Sequence, residues 1–301
     1  MTARAPRPSF VALPVLADPP ATILDFLCAR FPSVGRAAWQ DRMDRGLVSI
    51  ENGVRLDEAT PFRSGVRVSY FREVMAEPEP AEDAVVLHVE PHFVIADKPH
   101  GMPVVPAGSY VNRSLVYRLA RRLDEPELAP VHRLDRDTAG LVLLARRASD
   151  RAAFHRLFAG GAVEKVYRAV SEGPVPEQRY WRVRSRIVPA ERPFRRVSIP
   201  DPRGDAVTDV YLDGAGNGRL GFLIRPETGR QHQIRLHLCQ IGFPILGDRR
   251  YPQLRALLPE GAELRDPLQL LAQQLGFRDP VTGRRHRFVS NRRLHADPTP
   301  A

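Results

Sequence analysis

Apolar residues along the 301-residue chain recur in two rhythms. Near the N-terminus the spacing is helical. In Thr22–Phe31, Ile23, Phe26 and Leu27 fall at i, i+3 and i+4, and Thr22 can cap the first turn. Val34–Arg45 predicts a second helix, stopped by Gly46. Val48–Ile50 and Val54–Leu56 then flank Glu51-Asn52-Gly53, and Asn-Gly between two such runs signals a hairpin. Val66–Phe71 supplies a further strand. From Val85 onward strand-like runs dominate: Val85–Val89, Phe93–Ala96, Leu141–Ala145, Val163–Val170, Trp181–Val188, Val207–Leu212 and Leu220–Ile224. Helical stretches fall between them at Ser114–Leu123, Ser149–Phe158, Gln231–Ile241 and Gln253–Leu258. This spacing predicts an α+β fold, a mixed and mainly antiparallel sheet domain preceded by a small α/β domain.

Composition changes places as well as elements. Residues 1–20 are Pro-rich and predict an extended arm. Met75–Asp83 carries Glu77, Glu79, Glu82 and Asp83 with no basic residue, so 76–84 reads as an acidic, Pro-rich linker. The small domain is then 21–75, the large one 85–290, and 291–301 a loose polar tail. No run approaches the roughly 18–20 apolar residues that cross a bilayer. Phe10–Ala17 is short, broken by Pro14 and without a convincing cleavage site. Cys28 and Cys239 offer neither a disulfide framework nor a zinc quartet. A soluble, cytoplasmic protein is expected. The net charge of +10 favours a polyanionic partner, most often nucleic acid. Yet 43 of the 45 basic residues are arginine, a skew that codon bias in a GC-rich genome would produce, as would the 29 prolines. Arginine placement therefore carries more weight than arginine number.

Four segments hold candidate chemistry. In Pro130–Ala145 (PVHRLDRDTAGLVLLA) a polar turn runs into an apolar strand, which puts an aspartate at a mouth of the core. Asp135 or Asp137 there is either a reactive carboxylate or a turn cap paired with its arginine neighbours. In Ala162–Ser171, Lys165 and Tyr167 lie two apart and project from one strand face. A tyrosine joins a stacking ring to a phenol and suits a flat heterocycle, although a half-buried core tyrosine looks the same. In Gln231–Ile241, Arg235 lies beside an apolar helix face and needs a carboxylate, for which Asp135 is the chosen partner. His232 and His237 are five apart, not the i, i+4 of a helical zinc site, so no metal is expected. In Trp181–Ile187, Arg182, Arg184 and Arg186 alternate with Trp181, Val183 and Ser185. A strand would display the three on one face, roughly 6–7 Å apart, as a stripe for tracking phosphates or as an ordinary solvated face.

Three of these segments occur together, in this order, in one family. Across roughly residues 85–290 the chain resembles the RluA-type RNA pseudouridine synthases. His132-Arg133-Leu134-Asp135, with Thr138 and Gly140-Leu141, is similar to the catalytic-aspartate motif, and Lys165-Val166-Tyr167 to the second. Thr228-Gly229-Arg230, His232 to Arg235, His237, and Pro244 to Gly247-Asp248 are similar to the third. Asp97-Lys98-Pro99-His100-Gly101 resembles the opening motif, with Asp97 where asparagine is more usual. Leu270-Leu271-Ala272 is similar to a late motif, with Leu271 in place of a common histidine. The two N-terminal helices and hairpin resemble an S4-type RNA-binding module in pattern and spacing. Residues 21–75 balance eight arginines against seven acids, less basic than such a module usually is.

The resemblance implies isomerisation of uridine to pseudouridine within RNA. The N1–C1′ bond breaks, the base turns, and C5 bonds to C1′. Atoms and electrons are conserved, so neither redox cofactor nor metal is required. Asp135 would be the essential carboxylate, attacking C1′ or assisting through a glycal-type route. Arg235 would keep it ionised and aimed. Tyr167 would stack on the target base and serve as a candidate general base, and Arg133 would fill the gap left by the flipped uridine. Lys165, Arg182, Arg184, Arg186 and Arg230 complete the expected RNA contacts. The implied partner is ribosomal RNA ahead of tRNA, met by a monomer, with no membrane. Two rivals compete. A non-catalytic RNA-binding or ribosome-assembly protein on the same scaffold would be signalled by loss of Asp135, which is present. A glycoside hydrolase needs a second acid facing Asp135, and nothing in the sequence places one there.

Overall fold

The structure is a computed structural model that describes residues 2–51, 53–190, 195–252 and 266–298. The helix expected at Gln253–Leu258 lies outside the described residues. Two compact units emerge: Met1–Glu77 with Gly108–Asn112, and Pro78–Ala107 with Arg113–Ala301.

The first unit contains β1 (Ala3–Arg4), β2 (Ser9–Ala12), α1 (Ile23–Arg30), α2 (Arg36–Asp44), β3 (Val48–Ile50), β4 (Arg67–Tyr70) and β5 (Glu73–Val74). Thr22 caps α1 in a reciprocal box, its Oγ1 accepting from the Asp25 N–H while Asp25 Oδ2 accepts from the Thr22 N–H. Leu24, Leu27 and Trp39 from the helices pack with Val48 and Val68 of the sheet. One expectation needs correction. Residues 2–20 are not simply an extended arm: β2 adds to β4 antiparallel, and Val11 and Leu13 turn inward to the core. The hairpin is present, with the Ile50 N–H donating to the Val54 carbonyl and the Leu56 N–H to the Val48 carbonyl on either side of a Ser49–Arg55 bridge. The chain turns away at Asp57, whose N–H is held by Thr60 Oγ1, and β3 pairs on its other edge with β4.

The second unit contains β6 (Val85–Val89), β7 (Phe93–Lys98), α3 (Leu115–Arg122), β8 (Ala129–Pro130), β9 (Ala139–Ala145), α4 (Ala148–Ala159) and β10 (Glu164–Glu172). It continues with β11 (Tyr180–Pro189), β12 (Arg196–Pro200), β13 (Ala206–Gly216), β14 (Arg219–Pro226), α5 (Gln233–Gln240), β15 (Leu270–Arg278) and β16 (Arg285–Val289). The strands form one sheet in the order β12-β11-β13-β14-β10-β15-β9-β7-β6, with β16 also on β15 and β8 on β9. Among the described residues only the β9–β15 pairing is parallel, so the expected mixed, mainly antiparallel sheet is present. Strands β7 and β9 are buried on both faces: Val94, Ala96, Val142 and Leu144 pack toward α3, and Phe93, Ile95, Leu141 and Leu143 pack with Phe154 of α4. That two-sided burial explains their unbroken apolar runs.

The central β15 has no strand signature in the sequence. Its residues LLAQQLGFR lack alternation, because Leu270, Leu271 and Ala272 are all buried between β10 and β9. Gly140 allows that contact. Its φ is +112°, and a Cβ there would collide with the Ala272 carbonyl.

The polar tail is also not loose within its described part. The buried carboxylate of Asp97 accepts from Ser290 Oγ and the Asn291 N–H, and Arg292 Nε lies 3.5 Å away. Leu294 then packs on Leu271, and Asp297 pairs with Arg168. A buried carboxylate with a nearby cation accounts for aspartate at position 97, and the contact with Leu294 for an apolar residue at 271.

Candidate active site

Asp135 stands in the loop between β8 and β9, with its backbone carbonyl accepting from the Thr138 N–H. Its carboxylate is about a quarter exposed. Arg235, on the buried face of α5, donates from Nη1 to Asp135 Oδ2 at 3.0 Å. The pairing expected from sequence is therefore made, but it is not the arginine's main anchor. Asp248 takes the other side of the guanidinium in a bidentate pair, 2.8 Å from Nε and 2.7 Å from Nη2, with its own side chain wholly buried. Asp248 Oδ1 also accepts the Arg250 and Tyr251 N–H groups. Asp248 falls within the third motif, but the sequence alone assigns it no role. Its partner lies thirteen residues away through a turn, a separation no helix or strand period reveals.

His232 caps α5 in the left-handed conformation, φ 60°. The Tyr251 hydroxyl accepts from the Arg196 N–H, so its own proton is available to His232 Nδ1, 2.7 Å away. Burial pulls His232 down to about 4, so the ring is neutral and its hydrogen sits on Nε2, 3.7 Å from Asp135 Oδ2. His237 is likewise pushed down to about 4 by burial and bonds the hydroxyls of Thr208 and Ser185. Both rings are thus committed to hydroxyl partners.

Tyr167 on β10 is half-buried, packed against the apolar clusters on both sides of the site. Burial, and then the Asp135 charge, push its phenol well above the usual range. The resting site therefore holds a neutral phenol, and a phenolate base would have to form against both effects.

Two residues of the opening motif hold the loop that carries Asp135. Lys98 is fully buried and donates to the carbonyls of Pro99, Met102 and Arg136 at 2.8–3.0 Å. His100 Nδ1 donates to the Asp137 carbonyl at 2.7 Å. Burial lowers Lys98 to about 7 against the pull of Asp137 and Asp135. The two carbonyls that follow Asp135 are thus both tethered, an arrangement that holds its loop in place.

The expected RNA contacts separate. Arg133 is exposed on the Asp135 loop, with no hydrogen bond or ion pair among the described residues. Lys165 is half-buried and donates to the Thr228 carbonyl at 3.3 Å. Arg230 is exposed and paired with Asp205. The β11 stripe alternates as expected. Trp181 packs in the cluster under α5 and Ser185 bonds His237, so Arg182, Arg184 and Arg186 face away from that helix. They are also engaged: Arg182 with Asp209 and Glu227, Arg186 with Asp201, and Arg184 with the Gly204 carbonyl. Arg192 and Glu191 lie outside the described residues. A face already neutralised by its own acids has little charge to offer phosphates.

Comparison with known proteins bears directly on this arrangement. Residues 92–240 match the RNA pseudouridylate synthase family and include Asp135, Tyr167 and Arg235. An uncharacterized RNA pseudouridine synthase of Synechocystis is 30% identical over 76% of this chain and 79% of its own length. The dual-specificity RNA pseudouridine synthase RluA of Pasteurella multocida is 34% identical over 65% of this chain and 88% of its own. Human RNA pseudouridylate synthase domain containing 1 superposes with a TM-score of 0.57, at 21% identity, over 72% of this chain and 86% of that one, and so shares the fold. No helix among the described residues is long and apolar enough to cross a membrane. With a carboxylate, a buried arginine and a neutral tyrosine brought together within the matched region, the chain belongs to the RluA-type RNA pseudouridine synthase family and is an isomerase of uridine in RNA.

Proposed function

We propose that Asp135 is the carboxylate that acts at C1′ of a flipped uridine in structured RNA, by nucleophilic attack or through a glycal-type route. The observation that carries this is the Asp135 carboxylate, partly open to solvent, held by Arg235 and felt by Tyr167. Arg235 is the positioning cation. Tyr167 supplies a ring for stacking and a phenol that donates. Arg133 fills the space the uridine leaves, offsetting an extrusion cost of a few kcal/mol. The target we infer is large-subunit (23S) ribosomal RNA first and tRNA second. The N-terminal unit, two helices on a three-stranded sheet, is read as an S4-like RNA-binding module. Pseudouridine mapping of total RNA from a strain lacking the gene should show loss of one or a few sites in large-subunit RNA. Sites lost from tRNA instead would move the target, and an unchanged map would overturn the reading.

The role of Tyr167 has its own check. Tyr167→Phe keeps the ring and removes the phenol. RNA binding should persist within about twofold, while single-turnover conversion falls by about 10²-fold, the low end for a positioned proton donor or acceptor. Unaltered turnover would make the ring a platform only.

A further inference from the structure

Strands β10 and β14 pair from Glu172–Arg219 as far as Tyr167–Ile224 and then part. Pro226 has no N–H to continue the ladder, and the chain turns off at Thr228-Gly229. The split opens a cleft of about 440 Å³ between the start of β10, the end of β14, β15 and β16. That volume lies within the roughly 300–1,000 Å³ of sites that hold small molecules.

The charges lining it are unequal. Asp209 and Glu227 are already taken by Arg182, which stands in register with Asp209 and Arg225 on the same sheet face. Lys165, Arg225 and Arg287 have no ion-pair partner among the described residues, and Glu164 is the remaining acid. Lys165 spends one hydrogen bond on the Thr228 carbonyl and is half-buried. Arg225 stands over the Tyr211 ring, and Arg287 donates to Oε1 of Gln274, whose side-chain amide also lines the cleft. Three cations without an ion-pair partner among the described residues, an amide and frayed strand edges suit an anion joined to a hydrogen-bonding heterocycle. The position fits as well. Lys165 is two residues from Tyr167, about 6–7 Å along the strand, comparable to the step between neighbouring nucleotides.

We propose, resting on the synthase reading above, that this cleft seats a nucleotide flanking the target uridine, its phosphate held by Lys165, Arg225 and Arg287 and its base read by Gln274. The RNA then runs from Asp135 past Tyr167 into the split between β10 and β14.

An RNA–protein double-substitution cycle tests this. The probe is a short stem-loop around the mapped uridine, with each of the two nucleotides on either side replaced in turn by an abasic residue. Dissociation constants are measured by fluorescence anisotropy for the wild type, Lys165→Met, Gln274→Ala and Arg287→Ala. At one flanking position the abasic change should weaken wild-type binding about tenfold, and binding by at least one variant less than threefold. Arg287 is exposed, so its variant reports even if Lys165→Met folds poorly. Equal losses in the wild type and every variant at all four positions would overturn the cleft assignment. Turnover of the unmodified stem-loop by the wild type is read separately. Its absence would overturn the synthase reading on which the cleft depends.

Discussion

Asp135→Asn should reduce pseudouridine formation by about 10⁴-fold or more, the scale of removing an essential nucleophile or base. Its melting temperature should stay within about 2 °C of wild type. The two effects are separable because of how Arg235 is held. Asp135 contributes one hydrogen bond to the guanidinium, while Asp248 contributes two from a wholly buried position. Losing the charge at 135 therefore leaves the arginine paired, and a partly exposed amide in place of the carboxylate is nearly isosteric. RNA affinity should hold or rise slightly, since one anion near the phosphates is gone. Single-turnover conversion by the purified variant is the measurement. Residual turnover above about 1% of wild type would mean that another group acts at C1′.

Much of this site is legible in the sequence, and the part that is not has a physical reason. Asp135, Tyr167 and Arg235 lie in three short segments whose local patterns are each ambiguous. A turn aspartate, a half-buried tyrosine and an arginine beside an apolar face are common in many folds. Only their co-occurrence in a family's order singles them out. Strand periodicity correctly puts Arg182, Arg184 and Arg186 on one face, but period two cannot say which face meets the helix that carries Arg235. Nor does it reveal that Asp209, Glu227 and Asp201, distant in sequence, neutralise that face. The same limit hides Asp248. Strand β15 is masked by the very rule that exposes surface strands, because burial on both sides erases alternation. Lys98 stands out as part of a motif, but its work, holding the Arg136 carbonyl beside Asp135, is a tertiary contact across 38 residues.

Arg235→Met should be the most destabilising single change in the site. It strands Asp248, whose side chain is wholly buried, with two backbone N–H groups but no cation. Breaking a buried pair by removing one partner costs about 3–5 kcal/mol. For a unit of this size that is a fall of roughly 6–20 °C in melting temperature. Turnover should be lost as well, because Asp135 loses its aim. A second substitution separates the two effects. In Arg235→Met with Asp248→Asn the buried charge is gone, while the amide oxygen can still accept the Arg250 and Tyr251 N–H groups. Most of the stability should return without any activity. A melting temperature for Arg235→Met equal to wild type, or a double variant no more stable than the single one, would show that the buried Arg235–Asp248 pair does not hold the site together.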